Sequence, residues 1–274
     1  MYIGIDVGGT FTDGLLLSEG KVVNSVKQPT AETELKSTVL TVLDKLLVGA
    51  EPLRLKRIGL STTLVTNLLA TGRGEPAAAV LIPGPGLNYQ QLELPPNSYL
   101  VQGAVDFRGR VTEPLNISQV EQAARSIAGQ NINKVTVVGK FSGRNSSLES
   151  QARDILTRIC PELDIVLGFE VAGRLNFLRR LTTAYYTAVT RDNWRRFARE
   201  INAALRERGI EAPLNILKAD GGTIPVRASL NRPCETVFSG PAASAMGAYG
   251  LTMDSLTSVV VDIGGTTTDL ALIL

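Results

Sequence analysis

Apolar residues fall in short runs separated by longer stretches of helical spacing, and the two kinds of segment alternate along the chain. The runs predict strands at Tyr2 to Val7, Leu15 to Leu17 with Lys21 to Val26, and Ala78 to Ile82. Others follow at Lys134 to Val138, Asp164 to Leu167, Asn215 to Leu217 and Ser258 to Ile263. Between them, apolar positions recur every three or four residues over Glu32 to Leu47, Ser118 to Ile127, Leu148 to Ile159 and about Leu175 to Arg208, predicting helices. Strands alternating with helices predict an α/β fold with substantial parallel pairing.

The last of these helices is long and rich in arginine. Trp194, Phe197, Ile201 and Leu205 form one apolar stripe, while Arg191, Arg195, Arg199, Arg206 and Arg208 share the other faces with Glu200 and Glu207. That mixture reads as a solvated surface rather than a nucleic-acid patch. Gly209 is placed to cap the helix, and Pro213 prevents its continuation.

Composition narrows the chemistry. The 274 residues are 44% hydrophobic and 20% charged, which is ordinary globular usage, and a formal charge of +2 offers no basic excess for nucleic acid. Histidine is absent, which removes a Ser-His-Asp triad, a histidine base and any histidine-ligated metal within the chain. Cys160 and Cys234 lie far apart without a C-x-x-C, fitting a reducing compartment and small apolar roles. No run reaches the roughly 18 apolar residues of a membrane helix. The amino end enters a strand pattern at once, with no basic and apolar leader, so a cytoplasmic protein beginning at its true first residue is expected.

One octamer occurs twice. Asp6-Val7-Gly8-Gly9-Thr10-Phe11-Thr12-Asp13 returns as Asp262-Ile263-Gly264-Gly265-Thr266-Thr267-Thr268-Asp269, with six of eight positions identical. Each copy follows one apolar strand and precedes another, predicting a β-hairpin with Gly-Gly-Thr at its bend. Paired glycines leave no Cβ in front of the backbone amides, which can then face a phosphate, and the Thr10, Thr12, Thr266 and Thr268 hydroxyls add donors. Asp6 and Asp262, at the ends of the leading strands, are hard oxygen groups suited to orienting Mg2+ through its waters. Asp13 and Asp269 either hold the turns or orient water. Two such hairpins face to face suit a nucleoside triphosphate held in a cleft.

The paired motif resembles the phosphate-1 and phosphate-2 hairpins of the actin-like, chaperone and sugar-kinase ATPase superfamily, and in its detailed form it looks like the hydantoinase and 5-oxoprolinase family. Further segments resemble that family: Ser61-Thr62-Thr63-Leu64-Val65-Thr66-Asn67, Val105-Asp106-Phe107-Arg108-Gly109 with Glu113-Pro114-Leu115, Phe141-Ser142 with Asn145 and Glu149, Asp220-Gly221-Gly222, and Ser239-Gly240-Pro241-Ala242-Ala243. There are departures. The family's histidine and glycine before T-T are Leu60 and Ser61 here, and its P-x-H-E becomes Ser146-Ser147-Leu148-Glu149. The family also carries several hundred further residues after the second hairpin.

The resemblance implies an α/β protein of ribonuclease H-like domains. Residues 1–175 would form the first, with the phosphate-1 hairpin and an inserted segment. Residues 176–274 would be a connecting helix and the start of an incomplete second domain with the phosphate-2 hairpin. It implies ATP and Mg2+, gripped by Gly8, Gly9, Thr10, Phe11 and Thr12 with Gly264, Gly265, Thr266, Thr267 and Thr268, and catalytic or metal-orienting roles for Asp6, Asp262, Asp13 and Asp269. Thr62, Thr63, Thr66 and Asn67 either line a substrate pocket or cap a helix. Ser239 and Gly240 either meet an anion at a helix start or simply begin a Pro-started helix. Pro83-Gly84-Pro85-Gly86 reads as a loop, and no Walker A sequence is present. The expected activity is ATP-dependent opening of a cyclic amide such as a hydantoin or 5-oxoproline. The alternative is a nucleotide-binding regulatory or assembly subunit. A small cyclic amide, together with a second subunit or a second copy, would be the partner; no nucleic acid or membrane is expected.

Overall fold

The computed structural model describes residues 1–31, 34–173, 175–252, 257–264 and 268–273. In chain order, β1 (Tyr2–Val7), β2 (Phe11–Ser18) and β3 (Lys21–Pro29) lead into α1 (Leu35–Leu46), β4 (Arg57–Thr62) and α2 (Leu64–Ala70). Next come β5 (Ala77–Ile82), β6 (Ser98–Leu100), β7 (Ala104–Val105), β8 (Val111–Glu113), α3 (Ile117–Ala128), β9 (Lys134–Gly139), α4 (Ser147–Ile159), β10 (Asp164–Leu167), α5 (Gly168–Val171) and α6 (Phe177–Glu207). The chain continues through β11 (Leu214–Leu217), β12 (Thr223–Pro225), α7 (Val226–Ser229), α8 (Ser239–Thr252), β13 (Ser258–Ile263) and β14 (Thr268–Ile273).

Packing divides the chain into two units, residues 1–71 with 192–274 and residues 72–191, so the division at 191/192 falls inside α6. This grouping by packing differs from the expected linear split at 175/176.

In the first unit a six-stranded sheet runs β12-β11-β4-β1-β2-β3. Strands β1, β2 and β3 form an antiparallel meander, whereas β4 runs parallel to β1 and β11 parallel to β4. Alternation in β1 turns Ile3, Ile5 and Val7 to one face, where α1 contributes Val39, Val42, Leu43 and Leu46 to the same core. The stripe Trp194, Phe197, Ile201 and Leu205 of α6 joins that core, as its spacing predicts. Close approach of α1 to β2 is set by Gly14, where a Cβ would lie 2.9 Å from Leu46 Cδ1 and closer still to Val42. Gly209, at φ +67°, ends α6 with the N–H of Ile210 donating to the Leu205 carbonyl at 3.0 Å. Strands β13 and β14 form a separate two-stranded ribbon packed against α8.

In the second unit β10-β9-β5-β6 form a parallel sheet. Its strands β5 and β9 are buried throughout, as parallel strands covered on both faces must be. One expectation fails in this unit: Arg191 is only 6% exposed and pairs with Asp164 rather than facing solvent. Asp164 also pairs with Lys134 at 3.2 Å. A guanidinium removed from water must be matched by a carboxylate, and residue spacing along α6 could not reveal a partner on β10.

Candidate functional site

The two octamers fold into the same local structure. Asp6 stands opposite Asp13 and Val7 opposite Thr12 in the first hairpin; Asp262 stands opposite Asp269 and Ile263 opposite Thr268 in the second. At the first bend the Gly8 N–H donates to the Phe11 carbonyl at 3.0 Å, closing the turn, and a Cβ on Gly8 would lie 2.9 Å from that same oxygen. The N–H groups of Gly9 and Thr10 meet no protein acceptor among the described residues, which leaves them for a ligand. Gly265, Thr266 and Thr267, at the second bend, lie outside the described residues.

Both hairpins border one cleft of about 560 Å³, entirely within the first unit. Asp6, Gly8, Gly9, Thr10, Phe11 and Asp13 line it from one side, and Asp262, Gly264 and Asp269 from the other. Thr62, Thr63, Thr66, Asn67, Ser239 and Gly240 line it as well, so all six candidate substrate residues reach the cleft. Thr12 and Thr268 do not line it. The Thr12 hydroxyl is buried and bonded to that of Thr30 at 2.9 Å, and Thr268 is exposed elsewhere on its strand.

Several candidate side chains are already engaged. Thr62 Oγ1 accepts the Leu64 N–H at 3.2 Å at the start of α2, and Asn67 Nδ2 donates to Thr63 Oγ1 at 3.3 Å. Thr66 Oγ1 accepts the Phe238 N–H at 3.3 Å, and Ser239 Oγ bonds both the N–H and the carbonyl of Thr62, each at 3.3 Å. Their hydroxyls therefore tie β4, α2 and the start of α8 together at the cleft wall. Phe238, at φ +60°, turns the chain into α8 beside them.

Each leading-strand aspartate is gripped by a serine: Ser61 of β4 donates to Asp6, and Ser244 of α8 donates to Asp262. Burial raises the Asp6 carboxyl above its ordinary value, the Ser61 hydroxyl pulls it back, and the nearby charges of Asp13 and Asp262 push it up again. Four carboxylates around one cleft form a charge excess that a hard dication would neutralise, so the residues present fit Mg2+ held by Asp6 and Asp262 with water or phosphate oxygens completing its shell. Among the described residues no group of three or more metal-ligating side chains converges into a preformed cage.

The sequence reading missed Ser61 and Ser244 as anchors, and Lys27 as a cleft residue. Lys27 was recoverable only from strand pairing, since it stands opposite Asp13 across β2 and β3. The second-unit segments resembling the family serve structure. Asp106 accepts the N–H groups of Arg108 at 2.9 Å and Arg110 at 2.8 Å, and Asn145 Nδ2 donates to the Gly109 carbonyl at 2.8 Å. Glu149 is fully buried and accepts the N–H groups of Gly139 at 2.7 Å and Phe169 at 3.0 Å; burial pushes its carboxyl up against those bonds. Leu60 and Leu148, where the family has histidine, are core residues at 1% and 5% exposure.

Fold and cleft together define a mixed α/β protein that presents a duplicated glycine hairpin to a single cavity. The profile of the hydantoinase/oxoprolinase N-terminal region matches residues 2–160 and that of hydantoinase/oxoprolinase matches residues 180–274; the chain belongs to this family. It is 23% identical over 301 residues to the alpha subunit of caprolactamase from Pseudomonas jessenii, covering 98% of this chain and 43% of that one. It is 27% identical over 316 residues to the gamma subunit of acetophenone carboxylase from Aromatoleum aromaticum, covering 99% and 42%. Among solved structures it superposes on nucleotide-free acetone carboxylase, an enzyme of ATP-dependent acetone carboxylation, with a TM-score of 0.87 at 20% identity, covering 99% of this chain and 43% of that one. The ATP-dependent caprolactamase of Pseudomonas jessenii superposes with a TM-score of 0.79 at 22% identity and the same coverage. The chain thus spans less than half the length of the relatives it matches. No helix among the described residues is long and apolar enough to cross a membrane.

Proposed function

We propose that this chain supplies the phosphate grip of an ATP-dependent ring-opening amidohydrolase of the hydantoinase/5-oxoprolinase type. The observation that carries the reading is the convergence of Asp6, Gly8, Gly9 and Thr10 with Asp262, Gly264 and Asp269 on one cleft. The first-unit sheet supports a ribonuclease H-like domain: a three-stranded meander, β3-β2-β1, extended by the parallel strands β4 and β11. The ribbon β13–β14 is then the first hairpin of a second domain, which keeps the linear split at 175/176 as its boundary.

In this reading the amides of Gly9 and Thr10, with their counterparts at the second bend, hold the phosphate chain, and Asp6 and Asp262 would hold Mg2+, which would supply charge neutralisation for the phosphoryl group. The amide oxygen of a cyclic imide or lactam attacks the terminal phosphorus and ADP departs. The ring carbon that bears the phosphorylated oxygen is then a better electrophile: one water adds to it and the C–N bond breaks as the ring nitrogen takes a proton. A second water hydrolyses the resulting acyl phosphate to carboxylate and phosphate. Because little covalent chemistry falls to the protein, positioning is its main contribution. Since relatives are named as subunits, a second polypeptide would complete the substrate side.

A second reading, a nucleotide-binding regulatory subunit without an amide substrate, is favoured by Leu60 and Leu148, core leucines where the family has histidine. Calorimetry with MgATP, together with phosphate release with and without hydantoin, 5-oxoproline or caprolactam, separates the two. Release stimulated by one ring and abolished by Asp6→Asn supports the hydrolase. Binding without stimulation supports the subunit. Failure to bind MgATP overturns both.

A further inference from the structure

The cleft holds four carboxylates, Asp6, Asp13, Asp262 and Asp269, and among its described lining residues a single cation, Lys27. Lys27 Nζ lies 3.1 and 3.2 Å from the two carboxylate oxygens of Asp13 and 4.8 Å from the centre of the Phe11 ring. Its side chain is 61% exposed, so the ion pair sits in water, where such pairs hold their partners weakly. The ring of Phe11 meanwhile keeps the ammonium beside the bend that carries the unpartnered amides of Gly9 and Thr10.

An anionic phosphate chain entering this cleft meets an excess of negative charge. The one cation among the described lining residues is a flexible, three-donor ammonium parked on a carboxylate that water can satisfy in its place. We propose that Lys27 is a phosphate-contacting residue: it leaves Asp13 on nucleotide entry and donates to a phosphoryl oxygen beside the Gly8-Gly9-Thr10 bend. This rests on the phosphate-grip reading above, and nothing in the twin octamers signals it, because Lys27 lies on β3, outside the octamer.

Magnesium tripolyphosphate is the direct probe, since it carries the phosphate chain without the nucleoside; MgATP is the second. Calorimetry on the native chain, Lys27→Gln, Lys27→Arg and the control Lys45→Gln gives the test. Lys45 serves as control because its ammonium bonds Gln28 at 2.7 Å and does not line the cleft. A charge-assisted hydrogen bond lost at Lys27→Gln should weaken both ligands about tenfold or more. Lys27→Arg should recover most of that, and Lys45→Gln should stay within about twofold, the size expected of a distant screened charge. Tight binding by Lys27→Gln, or equal weakening in Lys27→Gln and Lys45→Gln, overturns the role of Lys27 while leaving the grip intact. No binding of tripolyphosphate by the native chain overturns the grip itself, and this inference with it.

Discussion

The hairpins β1–β2 and β13–β14 carry nearly the same octamer, pair in the same register and hold their leading aspartates by a serine hydroxyl, yet they live in different surroundings. In the first, Ile3, Ile5 and Val7 are buried against α1 and α6. In the second, the matching Val259, Val261 and Ile263 are exposed, as are Leu270 and Leu272 across the ribbon. The octamer therefore dictates hairpin geometry and the pairing of its aspartates, while burial depends on residues outside it. Among the described residues, α1 packs on the first copy and α8 on the second.

The strongest way to break the comparison is truncation at matched positions. Ile5 is 4% exposed and Val261, its counterpart, 53%. Ile5→Ala should lose about 2–5 kcal/mol, and Val261→Ala less than about 0.5 kcal/mol, read from urea unfolding midpoints at unchanged slope. Comparable losses at both would mean that the second ribbon is covered in solution.

Exchanging residues between the copies comes next. Gly14 corresponds to Leu270. Gly14→Leu pushes a side chain into Val42 and Leu46 and should lose about 1–3 kcal/mol, whereas Leu270→Gly removes an exposed side chain and should change stability by less than about 1 kcal/mol. Unfolding midpoints of the two variants decide it.

These contrasts explain what the sequence could and could not reveal. The hairpins were legible because register in a tight turn is local, and the α6 stripe because helical period and core burial coincide. Strand β4 was not: Arg57-Ile58-Gly59-Leu60-Ser61-Thr62 mixes glycine and polar residues, and its central place between β1 and β11 comes from tertiary pairing. Lys27 escaped for a related reason. It reaches the cleft through the β2–β3 register, which shifts between Leu16 and Leu17, and spacing along the chain does not encode such a shift. Ser61 stood within a family-like segment, but its bond to Asp6 follows from the pairing of β4 beside β1.

The serine anchors offer a subtler contrast. Ser61 is buried, so Ser61→Ala leaves a carboxylate oxygen of Asp6 without its donor and should lose about 1 kcal/mol or somewhat more. Ser244 is only half-buried, and water can replace its bond to Asp262; Ser244→Ala should lose about 0.5 kcal/mol or less. Equal losses would show that the two aspartates are equally desolvated.

The smallest effect is a trend with pH, and it belongs to the first hairpin. Burial, with Asp13 and Asp262 adding to it, raises the Asp6 carboxyl in the folded state above its ordinary value of 3.8 despite the Ser61 bond. The folded protein then binds this proton more tightly than the unfolded chain. The associated stability is complete below the ordinary value and is lost as pH rises through the raised one. Asp6→Asn keeps an oxygen for the Ser61 hydroxyl and removes the titration, so the variant should gain on the native protein as pH climbs from about 4 toward 7. Urea midpoints across that range provide the measurement, and a constant difference would sink the prediction. If MgATP binding falls in the same variant, one carboxylate both weakens the fold near neutrality and serves the cleft, the trade expected where a functional charge is held partly out of water.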